Sequence, residues 1–190
     1  MHPWLAAARR IDAFNAAVGR WVRWLILAAI ILSAGNAVVR KLFSTSSNAL
    51  LEAQWYLFAA VFMLCAGYVM LKDGHVRIDF LWARLSARAR SLIEVAGLAL
   101  VAIPFCLLLI HLSVPLVLEA FRSGEISPNA GGLIRWPVYA LLPLGMLLLL
   151  AQTLSQLVKQ IAFLRGIALP DATAPGREDG AARSSRPTGD

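Results

Sequence analysis

The sequence predicts an all-α integral membrane protein with four transmembrane helices, additional interfacial amphipathic helices, and both termini cytoplasmic. Three observations lead there. Apolar stretches at residues 21–39, 49–71, 92–118 and 136–158 each approach the length that crosses a bilayer as a helix, about 20 residues. Hydrophobic residues make up 59% of the chain and the mean hydropathy is +0.67, above the ~45–50% apolar content of soluble domains. The basic residues also sort by side. Arg40, Lys41, Arg122 and Arg135 fall in the two loops of one face, and the other lysines and arginines flank the opposite ends of the spans. The positive-inside rule then makes the termini and the middle loop cytoplasmic. Helices are required because lipid cannot satisfy an open backbone, and the alternating strands of a barrel are absent from the pattern.

These features bound the function. The net charge of +7 is explained by the cytoplasmic loops, so no nucleic-acid partner is implied. Four spans leave too little chain for a separate soluble core. Cys65 and Cys106 both lie within spans, without a C-x-x-C spacing, and read as small apolar residues. Ser33 to Ala37 offers small residues resembling a cleavage site. Apolarity continues through Val38 and Val39, however, so the first span is read as retained.

Residues 1–20 form a cytoplasmic segment in which Trp4, Ala8, Ile11, Val18 and Trp21 share a face. It is either an interfacial helix bound to membrane lipid or an early start to the first span. The four-helix membrane domain covers 21–166. After the second span Asp73 and Gly74 break the chain. Ile78, Leu81, Trp82, Leu85, Ala89 and Leu92 then recur at helical spacing, predicting an interfacial helix over 79–90, with Asp79 as a possible cap. Pro104 and Pro115 interrupt the third span and Pro143 the fourth; each removes a backbone donor. The loop 121–135 is rich in Gly, Ser, Pro and Asn. Residues 167–190 mix Pro, Gly, Ala and charge without periodicity and read as a disordered tail.

Ionisable groups inside spans are the first functional candidates. Glu52 opens the second span, followed by Gln54, Trp55 and Tyr56. It is either a hydrated interfacial carboxylate or a buried partner for Arg40 or Lys41. His111 is the histidine lying deep in a span. A haem held between helices needs two axial ligands, so a hydrogen bond to a neighbouring helix is the better use of it, and no cofactor or metal is expected. Gly67 in the second span and Gly97 in the third allow close helix contact. Absence of a catalytic constellation argues against an enzyme and for a helper subunit.

The run from Glu52-Ala53-Gln54-Trp55 to Gly74-His75-Val76-Arg77-Ile78-Asp79 resembles the small permease subunit of tripartite ATP-independent periplasmic (TRAP) transporters, the DctQ type. A second block, Gly131-Gly132-Leu133 with Trp136-Pro137 and Pro143-Leu144-Gly145, is similar to its mannitol/chloroaromatic or 2-oxo acid subgroup. The family's usual Gly-Ala-Ala is here Cys65-Ala66-Gly67, still small at every position.

This resemblance implies a multi-pass subunit of the bacterial inner membrane. It would serve as a scaffold for a large permease subunit that imports an organic acid or related solute with a sodium gradient. A periplasmic solute-binding protein delivers the solute. Glu52, Trp55, Gly131, Gly132, Trp136 and Pro137 become candidates for scaffold or docking contacts. His75, Arg77 and Asp79 would anchor the inner turn, unless they form only a helix cap with a solvated basic flank. Two other classes remain open from the residues alone: a self-sufficient oligomeric transporter using Glu52, and a membrane anchor of an oxidoreductase.

Overall fold

The computed structural model describes residues 3–43, 47–72 and 85–167. Its helices are α1 (Pro3–Phe43), α2 (Asn48–Leu71), α3 (Ala87–Ser123) and α4 (Trp136–Leu164), all long and apolar enough to cross a membrane. Their arrangement is set by α4. It packs against each of the other three, α1 and α2 also pack on each other, and α3 rests on α4. No strand is present among the described residues beyond a bridge between Ile126 and Ile134.

α1 runs unbroken through the segment before the first span, for 41 residues. At 1.5 Å per residue it is about 60 Å long, twice the thickness of the hydrocarbon core. Residues 3–20 therefore extend the first span as one helix. Their buried face also differs from the expected one. Leu5, Ala8, Asn15, Gly19 and Val22 are buried, whereas Trp21 is 73% exposed. Ala8, Asn15, Val22, Ala29 and Asn36, all buried, recur every seventh residue. That period keeps one seam facing a neighbour, as in a left-handed coiled coil. The seam is built from small and polar residues, so a hydrophobicity pattern does not find it.

Residues 79–84 of the interfacial helix expected over 79–90 lie outside the described residues, and the described part shows a helix start at Ser86. Leu85 is not helical, and Ser86 has extended geometry (φ −65°, ψ 153°) with its hydroxyl accepting from the Ala89 amide. This is an N-cap, and Ala87–Arg90 open the long helix α3. Within α3, residues Leu98–Ala102 form a π turn in which the Ile103 amide donates to the Leu98 carbonyl. Pro104 follows directly. Having no N–H, it cannot continue the α-helical ladder, and the wider turn absorbs the mismatch.

Small residues make the closest approaches, though not all at the expected positions. Gly67 lies against the Asn15 side chain and the Leu148 carbonyl, where α1, α2 and α4 meet. Gly97 faces open space, so the close contact expected there does not form. Gly145 takes that role instead: a Cβ on it would lie 2.5 Å from the Met63 carbonyl oxygen and 2.9 Å from its carbon. Those atoms are backbone and cannot step aside. We expect Gly145→Ala to push α2 off α4 and cost about 1–3 kcal/mol, read as a lower midpoint in SDS unfolding of the purified protein.

Candidate functional site

Two polar clusters clamp opposite ends of the bundle. The first is built on Glu52, one turn into α2 and 7% exposed. Its carboxylate accepts hydrogen bonds from the Ser127 hydroxyl, from Asn129 Nδ2 at 2.6 Å and from the Leu133 amide at 2.7 Å. All three donors belong to the loop joining α3 to α4, more than 70 residues away in sequence. Arg40 and Lys41 are exposed at the end of α1, so they are not the partners of Glu52.

The loop is shaped to present those donors. Gly124 ends α3 in the left-handed conformation (φ +63°), the usual glycine stop. The Ser127 amide then donates to the Leu133 carbonyl at 2.9 Å, and the Arg135 amide to the Glu125 carbonyl at 3.0 Å. Between these rungs the tip turns back, with the Gly132 amide donating to the Asn129 carbonyl at 2.9 Å. Gly131 takes φ +70°, a conformation costly for other residues. Gly132 is packed so that a Cβ would meet Ser127 Cβ at 2.5 Å. Both glycines thus serve the geometry that brings Ser127 and Asn129 onto Glu52.

Further contacts hold the loop from outside. Asn48 Nδ2 donates to the Ala130 carbonyl at 3.1 Å, and the Tyr56 hydroxyl to that of Ile134 at 3.2 Å. Arg135 Nη1 donates to Glu125 Oε1 at 3.1 Å and to the Tyr139 hydroxyl at 3.2 Å. The Tyr139 hydroxyl, with Glu125 behind it, holds the Arg135 guanidinium protonated beyond its ordinary range. Trp136 stands edge-on to Phe121, ring centroids 5.5 Å apart, closing the base of the loop. Pro137 sits in the first turn of α4, where a missing N–H costs nothing. Trp55 points away from the cluster and is 69% exposed.

A second cluster lies at the other end of α4, about 24 Å or more along the helix from Trp136. The Asp12 carboxylate accepts from Gln152 Nε2 at 2.8 Å, from the Ser155 hydroxyl at 2.7 Å and from Lys159 Nζ at 2.9 Å. Asn15 Nδ2 donates to Gln152 Oε1 at 2.9 Å, and the Ala8 carbonyl, 3.1 Å from the Ser155 oxygen, is a second acceptor within reach of that single hydroxyl proton. Gln152, Asn15 and Ser155 are almost wholly buried. Nearby, Gln160 donates to the Glu94 carboxylate and ties α3 to the same end. The polar run Gln152-Thr153-Ser155 inside an apolar span is the signal in the sequence that points to this cluster.

His75, Arg77 and Asp79 lie outside the described residues. His111 is exposed on α3 and makes no hydrogen bond to another helix among the described residues, where such a bond is the use expected of it. Cys106 is buried, Cys65 half-buried, and both are free.

Four long apolar helices, clamped at each end by side chains that hold helices and a loop together, define a multi-pass membrane protein. The family described as tripartite ATP-independent periplasmic transporters, DctQ component, matches residues 29–163, and the chain belongs to that family. It is therefore a transporter component of the inner membrane and not an enzyme. The match takes in α2, α3, the Glu52 clamp and nearly all of α4. Comparison with curated proteins and with solved structures returned no match.

Proposed function

We propose that this chain is the scaffold subunit of a sodium-coupled TRAP importer for an organic acid or related solute. In systems of this family the DctQ component works with a large permease and a periplasmic binding protein. The charge distribution supports an orientation with both termini cytoplasmic, which sets the 124–135 loop on the periplasmic side. The observation that carries the docking part of the reading is the Glu52 clamp. Its three hydrogen bonds hold a loop rich in turns in a single shape, as a surface that meets a soluble protein repeatedly requires. Trp55, Phe121, Ile126 and Ile134 surround it and are each at least half exposed. Such an apolar rim suits a partner better than water.

Co-expression with adjacent genes and affinity purification through this chain in mild detergent tests the reading. Recovery of a large membrane subunit in stoichiometric amount is the expected result. Recovery of this chain alone as a homo-oligomer, with transport activity of its own in liposomes, would overturn it.

A further inference from the structure

His111 sits on α3 eight residues before Glu119, about 12 Å below that carboxylate at helical rise. It is exposed and makes no hydrogen bond with a described residue. Its side chain is too short to snorkel to the interface, and hydrocarbon offers nothing to pair with. Pro104, Leu108, His111, Pro115, Leu118 and Arg122 follow one another at three- and four-residue steps, all exposed, and form a continuous stripe. Cys106, Ser113 and Ala120, the buried residues that seat α3 in the bundle, fall on its far side at 3.6 residues per turn. α4 covers that far side.

The backbone deepens the polarity of the stripe. Pro115 has no N–H to give to the carbonyl four residues earlier, which is that of His111. At one level of the membrane this surface therefore carries a backbone acceptor together with an imidazole that both donates and accepts. An intramembrane polar group of this kind faces protein or a water-filled cavity.

We infer that the His111 stripe of α3 is the face on which this subunit meets a membrane helix of the large permease subunit, and that this helix presents a donor-rich side chain (amide, hydroxyl or guanidinium) to His111. The inference rests on the scaffold reading above and names its interface. Acyl chains supply no donor, and headgroups do not reach that depth. A second copy of α3 would bring two acceptors for each donor and leave half of the acceptors unpaired. A donor-rich side chain on a different helix balances the site.

The test uses the complete complex in native membranes. Leu108 and Leu118 are replaced one at a time by a photoreactive benzoyl-phenylalanine, irradiated, and the adducts identified by mass. Adducts with the large permease subunit are expected. His111→Leu should lower recovery of that subunit about threefold to tenfold, and His111→Gln, which keeps a donor and an acceptor, should retain most of it. If the large subunit co-purifies but neither α3 position captures it, the interface lies elsewhere and the scaffold reading stands. Adducts joining two copies of this chain overturn the inference in favour of a homodimer. If the unmodified chain recovers no large subunit, both readings fall together.

Discussion

Glu52→Ala is expected to free the 124–135 loop while leaving the helices in place. The substitution deletes the acceptor for Ser127, Asn129 and the Leu133 amide at once. Bonds to an ionised carboxylate are stronger than neutral ones, so no remaining contact replaces them. Asn48 and Tyr56 each hold only a loop carbonyl. Limited proteolysis in detergent should therefore cut within 124–135 on the order of tenfold faster than in the parent protein, since cleavage follows the population of locally open states. Glu52→Gln keeps an acceptor oxygen and should fall between the two. In the assembled transporter, the proposed docking role predicts that Glu52→Ala lowers solute uptake while recovery of the large subunit is unchanged. Loss of that subunit along with uptake would assign Glu52 to the permease contact instead.

Asp12→Ala is expected to have the largest effect on stability. Asp12 and Lys159 pair at 2.9 Å with side-chain exposures of 21% and 15%, and Gln152 and Ser155 donate to the same carboxylate. Deleting the acid strands an ammonium and two polar groups between α1 and α4. A cost of about 2–4 kcal/mol is expected, seen as a lower SDS unfolding midpoint. Adding Lys159→Met should cost less than the sum of the single changes, because the stranded charge is then gone. An additive double variant would show that the pair is not coupled.

The spans were legible because burial in lipid demands long apolar runs, and the structure places helices over all four. The start of α1 was less so. Its seam uses Ala8, Asn15 and Gly19, residues too small or too polar to register as an apolar face, while Trp21, which marks amphipathicity, is exposed. Glu52 stood out in the sequence as a carboxylate at the mouth of a span. Its partners did not, because Ser127 and Asn129 reach it only after Gly124, Gly131 and Gly132 have bent the loop. Asp12 is hidden for a related reason. It looks like an ordinary charge among arginines until α4 is laid beside it and Gln152, Ser155 and Lys159 line up one turn apart.

The central place of α4 has a consequence for how the protein is made. α4 is the last of these four spans to leave the ribosome, yet it is the helix on which the other three pack. Until it is inserted, α3 has no established seat and Asp12 and Asn15 have no Gln152 to bond. α1 and α2 can pack on each other first, but α3 must enter the bilayer as a separately stable helix and wait, which its apolar content permits. A nascent chain that stops before Trp136 would hold exposed polar seams in lipid, a mark by which membrane proteases can tell an unfinished subunit from a finished one.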